Sequence, residues 1–185
     1  MRVAATRQYS ANLLIFPLTG RSNTGLFDHY TRVYCYGAVT RHYPPDSFVL
    51  NLLPLSMRVS GPKDALLHTI IAKNYGCTHF IIGRDHASPG IDSGGNPFYQ
   101  TNAAHRWTQE YSREIGMTIV PFEEFVYLPF EDEYRSQDQV SEGTQYISFS
   151  SSDIRERIRT GRNIPEWATF PEVVAELKKA YPSPD

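Results

Sequence analysis

The chain has 185 residues and a mass of 21.1 kDa, with 41% hydrophobic and 21% charged residues. These values suit a mid-sized globular domain with a substantial core, and they exclude a peptide, a fibre and a disordered tail. Eighteen basic residues against twenty acidic ones give a net charge of −2 and a pI near 6.3, which excludes a cationic protein drawn to nucleic acid or anionic lipid. Any anion that the chain binds must therefore be held by a local site.

The predicted elements, in chain order, alternate between apolar runs and helical patterns, which predicts an α/β fold with a mainly parallel sheet wrapped by helices. Strands are predicted at 12–18, 48–55, 78–83 and 118–128, with helices between them at 28–41, 63–74 and 103–115. The first three strands are near-continuous apolar runs, which is typical of strands covered on both faces. After about residue 127 the pattern becomes polar, with a short strand predicted at 145–149 and helices at 152–159 and 171–180. The predicted domains are an α/β domain at 1–128 and a small C-terminal α/β subdomain at 129–185.

The two cysteines, Cys35 and Cys77, form no Cys-x-x-Cys pair and no cluster with zinc spacing. They are predicted to be small buried apolar groups in a reducing cytoplasm. No apolar run approaches the roughly 20 residues of a membrane helix, and no signal-peptide core follows Met1. The sequence therefore predicts a cytoplasmic protein without a membrane or nucleic-acid partner.

The first candidate site is Gly83-Arg84-Asp85-His86-Ala87, at the end of a predicted strand. The carboxyl ends of parallel strands line the ligand crevice of such folds. Gly83 would let a ligand approach the backbone, Arg84 could pair with phosphate or sulfate, and His86 could donate to a phosphate oxygen. Asp85 could orient a neighbour. The alternative is an ordinary turn with an ion pair between Arg84 and Asp85. Residues 88–102, rich in Gly, Pro, Ser and Asn, are predicted to form a surface loop that gates the crevice.

A second candidate lies at Ser150-Ser151-Ser152-Asp153-Ile154-Arg155, a pattern typical of a helix start. Ser152 is the predicted N-cap, and the free amides of the first turn together with Arg155 would attract an anion. The alternative is a helix cap without a ligand. A third candidate, Arg58 with Lys63, flanks a Gly-Pro turn; its alternative is a pair of solvated cations.

These motifs together resemble the ATP sulfurylase family over nearly the whole chain. The resemblance depends on residues 28–32 (DHYTR), 53–58 (LPLSMR), 73–80 (KNYGCTHF), 83–87 (GRDHA), 164–167 (IPEW) and 170–174 (FPEVV). It implies a Rossmann-like nucleotidyltransferase fold and sulfate adenylyltransferase activity in sulfate assimilation. In that reaction ATP, with Mg²⁺, and sulfate give adenosine 5′-phosphosulfate and pyrophosphate. No metal site formed by the protein is implied.

The resemblance also implies roles for single residues. The residues implied in catalysis are Arg58, Arg84 and His86. Sulfate would be held by the backbone of Ala87. The residues implied in nucleotide binding are Gly83, Arg84, Asp85, His86, Phe125, Val126, Ser151, Ser152 and Arg155, of which Phe125 and Val126 line the adenine pocket.

The chain departs from the family pattern at its start. The Gln-x-Arg-Asn motif with its two following histidines is absent, as are the strand before it and the family's β-rich domain, and Arg7 and Gln8, in a predicted helix, do not replace the motif. Loss of a central strand would leave its neighbours unpaired. We therefore expect a complementing chain, a strand borrowed in a homo-oligomer, or a start that is too late. Two functions remain open, a sulfate adenylyltransferase domain and a non-catalytic nucleotide-binding or interaction module.

Overall fold

The structure, a computed structural model, describes residues 9–20, 27–122 and 124–181. The predicted helix around Arg7 and Gln8 lies outside the described residues. The elements are β1 (Leu13–Ile15), α1 (His29–Thr40), β2 (Phe48–Leu50), α2 (Pro62–Asn74), β3 (His79–Gly83), α3 (Ala103–Ile115), β4 (Thr118–Phe122), β5 (Phe125–Leu128), β6 (Glu133–Ser136), α4 (Ser151–Arg159) and α5 (Pro171–Ala180). The predicted α/β class is confirmed.

The strands pair in three ladders, of which two are parallel. β1 pairs with β2, and β3 pairs with β4 over five residues from His79 opposite Thr118 to Gly83 opposite Phe122. β5 and β6 form an antiparallel hairpin. The mainly parallel sheet is thus confirmed, with a helix between the strands of each parallel pair. Val49 in β2 is 58% exposed, so the prediction that this strand is covered on both faces is wrong.

The strands predicted at 12–18 and 48–55 are shorter in the structure, at Leu13–Ile15 and Phe48–Leu50. Two further predicted strands differ more deeply. The run at 118–128 is two strands, because β4 continues the parallel ladder whereas β5 turns to a new antiparallel partner. No strand forms at 145–149, where Tyr146 and Ile147 are exposed. The hairpin partner is instead the polar segment at 133–136, which carries no apolar alternation that could predict a strand.

The described residues form two compact units, one within Met1–Ser56 and Ile147–Asp185 and the other within Met57–Tyr146. We call them unit one and unit two. Their boundaries differ from the predicted division after residue 128, which stays a prediction. Among the described residues no helix combines the length and apolar character needed to cross a bilayer.

Each unit has its own core. In unit two, buried side chains of α2 and α3 pack with those of β3, of β4 and of the residue just before β4; they are Ala65, Ala72, Ile82, Ala104, Met117 and Ile119. The core of unit one joins α1 to the C-terminal helices through Ala38, Ile158, Ile164, Val173 and Leu177. The half-buried Cys77 and Cys35 pack against these two cores, and burial raises the pKa of both thiols, that of Cys35 to about 11. Both are small groups that line a core, but neither is fully buried as predicted.

Candidate functional site

The segment after β3 forms a tight turn that gathers its side chains at the end of the strand. The backbone N–H of His86 donates to the carbonyl of Gly83 at 3.3 Å, and that of Ser88 donates to the carbonyl of Asp85 at 3.0 Å. Ala87 has a φ of 53°, which turns the chain sharply away from the strand direction. We refer to residues 83–87 as the β3 turn. It brings all five residues of the first predicted site together in unit two.

Gly83 leaves the end of β3 open. Apart from its chain neighbours, a Cβ atom added there would meet no atom of the described residues within 4 Å. Packing against the described part of the chain therefore does not require this glycine. An open face above a strand end suits close approach of a ligand to the backbone, as the sequence predicts.

Arg84 is held by two carboxylates. Its Nε donates to Asp85 at 2.8 Å and its Nη1 donates to Glu124, and these partners raise its pKa, Asp85 most. The ion pair given as the alternative to an anion site is thus present. A guanidinium has five N–H groups in a planar fork, so two carboxylate contacts leave further donors for an oxyanion. The side chain is half exposed, which leaves it accessible to a ligand.

His86 is less exposed than Arg84 in the β3 turn. Its Nε2 lies 2.9 Å from Nδ1 of His68 in α2, and its ring lies edge-on to Phe80 at 5.8 Å between centroids. Burial, with a smaller contribution from His68, lowers the pKa of His86 from 6.5 to about 4, against the opposing effect of Asp64. The ring is neutral at pH 7 and donates a proton through one nitrogen only.

Arg58 lies in the segment that precedes α2, three residues before Gly61. The N–H of Gly61 donates to the carbonyl of Ala87 at 2.8 Å, which ties the segment before α2 to the β3 turn. Gly61 has a φ of 56°, and an added Cβ would lie 2.7 Å from the ring of Tyr99, so only glycine fits. Arg58 is exposed and has no ion pair or hydrogen bond with the described residues. It is a cation that folding leaves available.

A cavity of about 530 Å³ opens beside Arg84 within unit two, a volume in the range of small-molecule sites. Its apolar wall includes Ile82 and Phe122. Its polar lining consists of Arg84, Asn102, His105, Glu124, Gln137 and Asp138. All of these residues except Arg84 lie outside the predicted site. The sequence marks them only by their position at or near the end of a helix or strand. The buried Nε2 of His105 has no hydrogen-bond partner among the described residues.

Phe125 and Val126 begin β5, close in sequence to Glu124 of the cavity wall. Val126 is 1% exposed, so its side chain belongs to the core, and its residue pairs with Arg135 across the hairpin. A contact between Val126 and a base would therefore come from its backbone. The adenine role of both residues stays a prediction.

The second predicted site lies in unit one, at the start of α4. Its N-cap is Ser150 and not Ser152, because Ser150 and Asp153 form a capping box with each other. Ser151 and Ser152 are then the first two helical residues, and Arg155 follows on the same helix. The roles of Ser151, Ser152 and Arg155 at a phosphate stay predictions.

The loop at 88–102 is organised by Asp92, whose Oδ1 accepts from the N–H groups of Gly94 and Asn96, both at 2.8 Å. The predicted surface loop is confirmed, and its gating role stays a prediction. Within the ranges 9–20, 27–122 and 124–181, no group of three or more His, Cys, Asp or Glu side chains is placed to hold a metal ion.

Comparison with known proteins gives consistent results. A sequence model of the ATP-sulfurylase family matches residues 1–180. Sulfate adenylyltransferase from Schizosaccharomyces pombe is 50% identical over 182 residues, which are 98% of this chain and 37% of that protein. The enzyme of the same name from Mycosarcoma maydis is 46% identical over 98% of this chain and 32% of its own length. A solved structure described as a hexameric APS kinase from Thiobacillus denitrificans superposes with a TM-score of 0.73 and 26% identity, over 96% of this chain and 32% of that one. The chain thus spans about a third of the length of these curated relatives.

Proposed function

Because the chain belongs to the ATP-sulfurylase family, we propose that it is a sulfate adenylyltransferase-type domain acting in sulfate assimilation. The reaction joins ATP and sulfate to give adenosine 5′-phosphosulfate and pyrophosphate. A sulfate oxygen forms a bond to the α-phosphorus as the bond from that phosphorus to the pyrophosphate oxygen breaks. Mg²⁺ accompanies ATP as part of the substrate, bound mainly by phosphate oxygens and water.

The observation that carries this proposal is the β3 turn beside the cavity. Two anions must approach each other, and negative charge builds up on the phosphoryl oxygens and the leaving group. Arg84 supplies a guanidinium that lines the cavity and has spare donors. The open face of Gly83 leaves room for a phosphate next to the backbone. These features supply positioning and charge stabilisation without a covalent nucleophile.

Each remaining residue has a proposed role. Asp85 orients Arg84 by accepting from its Nε, and His86 donates to a phosphate oxygen. Arg58 adds a second positive charge, and the N–H of Ala87 binds sulfate, because a backbone N–H donates to an anionic oxygen whereas a carbonyl oxygen only accepts. Phe125 and Val126 are proposed to contact the base. A phosphate-binding role is proposed for the side chains of Ser151, Ser152 and Arg155 in unit one, and not for the backbone amides at the start of α4 that the capping box occupies.

We further propose that the chain works with other copies of itself or with a complementing chain, in the cytoplasm. Val49 is exposed on the two-stranded β1–β2 ladder, so this small sheet has an apolar surface that another chain could cover. The related protein of known structure is described as hexameric. Light scattering after size-exclusion chromatography should give a mass above 21.1 kDa, and a strictly monomeric species that is active alone would contradict this assembly.

The deciding experiment measures binding and turnover on the same sample. Calorimetry with adenosine 5′-phosphosulfate should show saturable binding, and pyrophosphate release from Mg-ATP should depend on added sulfate. Exposed Arg113 of α3 lies outside the site, so Arg113→Gln is a matched control that should behave like the wild type. Binding without turnover would contradict the enzyme and indicate a binding module. Absence of binding would overturn the proposed function altogether.

A further inference from the structure

A pair of histidines joins α2 to the β3 turn. Nδ1 of His68 and Nε2 of His86 are 2.9 Å apart, and the two rings meet nearly edge to face, with centroids 5.2 Å apart. His68 is 9% exposed, and nothing in the chemistry proposed above uses it. A histidine on the buried face of a helix, in contact with a site residue 18 positions away, calls for a physical explanation.

The contact requires that one ring donates and the other accepts. Two arrangements of neutral rings are possible. In the first, Nδ1 of His68 carries the proton and donates to His86. In the second, Nε2 of His86 carries the proton, and His68 must then carry its own proton on Nε2. The geometry of the pair alone does not separate the two, but the surroundings of His68 do.

The Nε2 atom of His68 is buried and has no hydrogen-bond partner among the described residues. The second arrangement would bury an N–H group there without an acceptor, and orphaned buried N–H groups are rarer in proteins than unsatisfied acceptors. The first arrangement leaves only an unprotonated nitrogen at that position. The surroundings therefore favour His68 as the donor.

A doubly protonated ring is disfavoured for either histidine. Burial lowers the pKa of both, and the one carboxylate that acts on them is Asp64, which is 2% exposed and accepts a hydrogen bond from the N–H of Ser60 at 3.2 Å. Phe80 from β3 covers His86 with an uncharged ring. The pair is thus neutral at pH 7, and the bond between the rings involves a single proton.

Which of the two rings donates in this contact determines which nitrogen of His86 carries the proton that a ligand could accept. If Nε2 of His86 accepts from His68, its own proton must be on Nδ1. Among the described residues Nδ1 of His86 has no hydrogen-bond partner. A neutral N–H donor is available to an oxyanion across the physiological pH range, a use known for buried neutral histidines.

We propose that His68 is a positioning residue, which donates from Nδ1 to Nε2 of His86 and thereby keeps the proton of His86 on Nδ1, ready to bind an anionic oxygen of the nucleotide or sulfate. The role of Nδ1 toward the anion rests on the proposed function. The tautomer itself does not, since it is a property of the protein without ligand. His68 touches neither substrate nor reacting atoms and acts through His86 alone.

The test is nitrogen NMR of the ¹⁵N-labelled full chain, in which long-range proton–nitrogen correlations distinguish a protonated ring nitrogen from an unprotonated one. The chain has six histidines, so His86→Gln assigns the His86 signals by their loss. The expected result for the ligand-free wild type is a protonated Nδ1 and an unprotonated Nε2 on His86. A protonated Nε2 on His86 would overturn the proposal, and this measurement needs no variant of His68.

Two substitutions then separate positioning from packing. His68→Phe keeps a ring of similar size but removes the donor, so His86 should become a mixture of tautomers and the affinity for adenosine 5′-phosphosulfate should fall about fivefold, the value of one neutral hydrogen bond. His68→Asn places an amide donor near the position of Nδ1 and should restore both the tautomer and the affinity. His79→Phe is the matched control and should leave both unchanged.

An unchanged His86 tautomer in His68→Phe would contradict the role of His68. If His68→Phe does not fold, the His86 tautomer in the wild type and in His68→Asn still tests the proposal. Failure of the wild type to bind adenosine 5′-phosphosulfate would count against the proposed function, whereas the tautomer of His86 would be measured independently of it.

Discussion

The β3 turn and the start of α4 are both marked by the sequence as anion sites, and they differ in what folding has done with their donors. At α4 the hydroxyl of Ser150 accepts from the N–H of Asp153 at 3.2 Å, and the Asp153 carboxylate accepts from the N–H of Ser150 at 2.7 Å. A carboxylate of the chain thus occupies the positive end of this helix. At the β3 turn the face of Gly83 is open and Nδ1 of His86 is unpartnered among the described residues.

The two regions also differ in charge. Hydrogen bonds from Ser150 lower the pKa of Asp153, which keeps that group charged, whereas burial lowers the pKa of His86, which keeps that group neutral. A lowered pKa therefore preserves a charge on Asp153 but removes one from His86. A pattern rich in donors therefore indicates an anion site only where the folded chain leaves some donors unused.

Of all the variants, Arg84→Gln should weaken nucleotide binding most. Loss of charge-assisted hydrogen bonds worth about 1.5–3 kcal/mol should weaken binding of adenosine 5′-phosphosulfate about 10- to 100-fold. Calorimetry on Arg84→Gln and on the Arg113→Gln control measures it. Equal affinity in both variants would show that the β3 turn is the ordinary turn given as its alternative.

Lowering the pH should destabilise the β3 turn before the start of α4, because His86 and Asp153 become protonated in different pH ranges. The unfolded chain binds a proton at His86 near pH 6.5, and the folded chain only near pH 4. The contribution of a neutral His86 to stability is thus complete above pH 6.5 and is lost as the pH falls toward 4, by at most about 3 kcal/mol. The contribution of Asp153, whose folded pKa lies below 3.8, is lost only in stronger acid.

Urea denaturation at intervals between pH 7 and pH 4 tests this difference. The wild type should lose stability steadily over that range, and His86→Gln should lose much less, with the remaining slope owed partly to His68, whose pKa is also lowered by burial. Gly37→Ala, which removes no titratable group, should retain the wild-type slope. A slope that survives His86→Gln unchanged would show that the β3 turn is not the acid-sensitive region.

A smaller effect is expected from filling the open face of Gly83. Gly83→Ala should leave the free energy of unfolding nearly unchanged, since the new methyl meets no side chain or backbone of the described residues beyond its chain neighbours. It should weaken nucleotide binding about tenfold by occupying ligand space. Gly37→Ala in α1 is the matched control, because its Cβ would likewise meet no described residue outside its own helix backbone within 4 Å. That control should gain about 0.5–1 kcal/mol of stability without a change in affinity. Unchanged affinity in Gly83→Ala would contradict the close approach.

The sequence predicts the strongly periodic parts of the fold well. The helix predicted at 103–115 is α3 with the same bounds, and the end of the third predicted strand is the end of β3. Such segments bury one face, so packing and local pattern agree. The polar hairpin strand β6 escapes prediction because backbone pairing with β5, and not an apolar face, creates it.

The candidate site divides in the same way. The β3 turn is contiguous in sequence and can be predicted, whereas the contact of His68 with His86 depends on packing between α2 and the turn and has no local signal. The choice of cap is a third case. Three consecutive serines give nearly the same local signal for an N-cap. Ser150 is the cap because Asp153, three residues later, completes a capping box with it.

The last variants concern the N-cap of α4. They test whether Ser150 and Asp153 already satisfy the backbone groups at the start of this helix. Ser150→Ala should lower the free energy of unfolding by about 1 kcal/mol, the usual value of an N-cap. Ser152→Ala, at the position predicted from sequence, should not show this loss, because the cap hydrogen bonds belong to Ser150 and Asp153. Urea denaturation of the two variants at pH 7 measures the difference. If Ser152→Ala lost as much stability as Ser150→Ala, the capping box would not be what holds the start of α4, and its amides would be free for an anion after all.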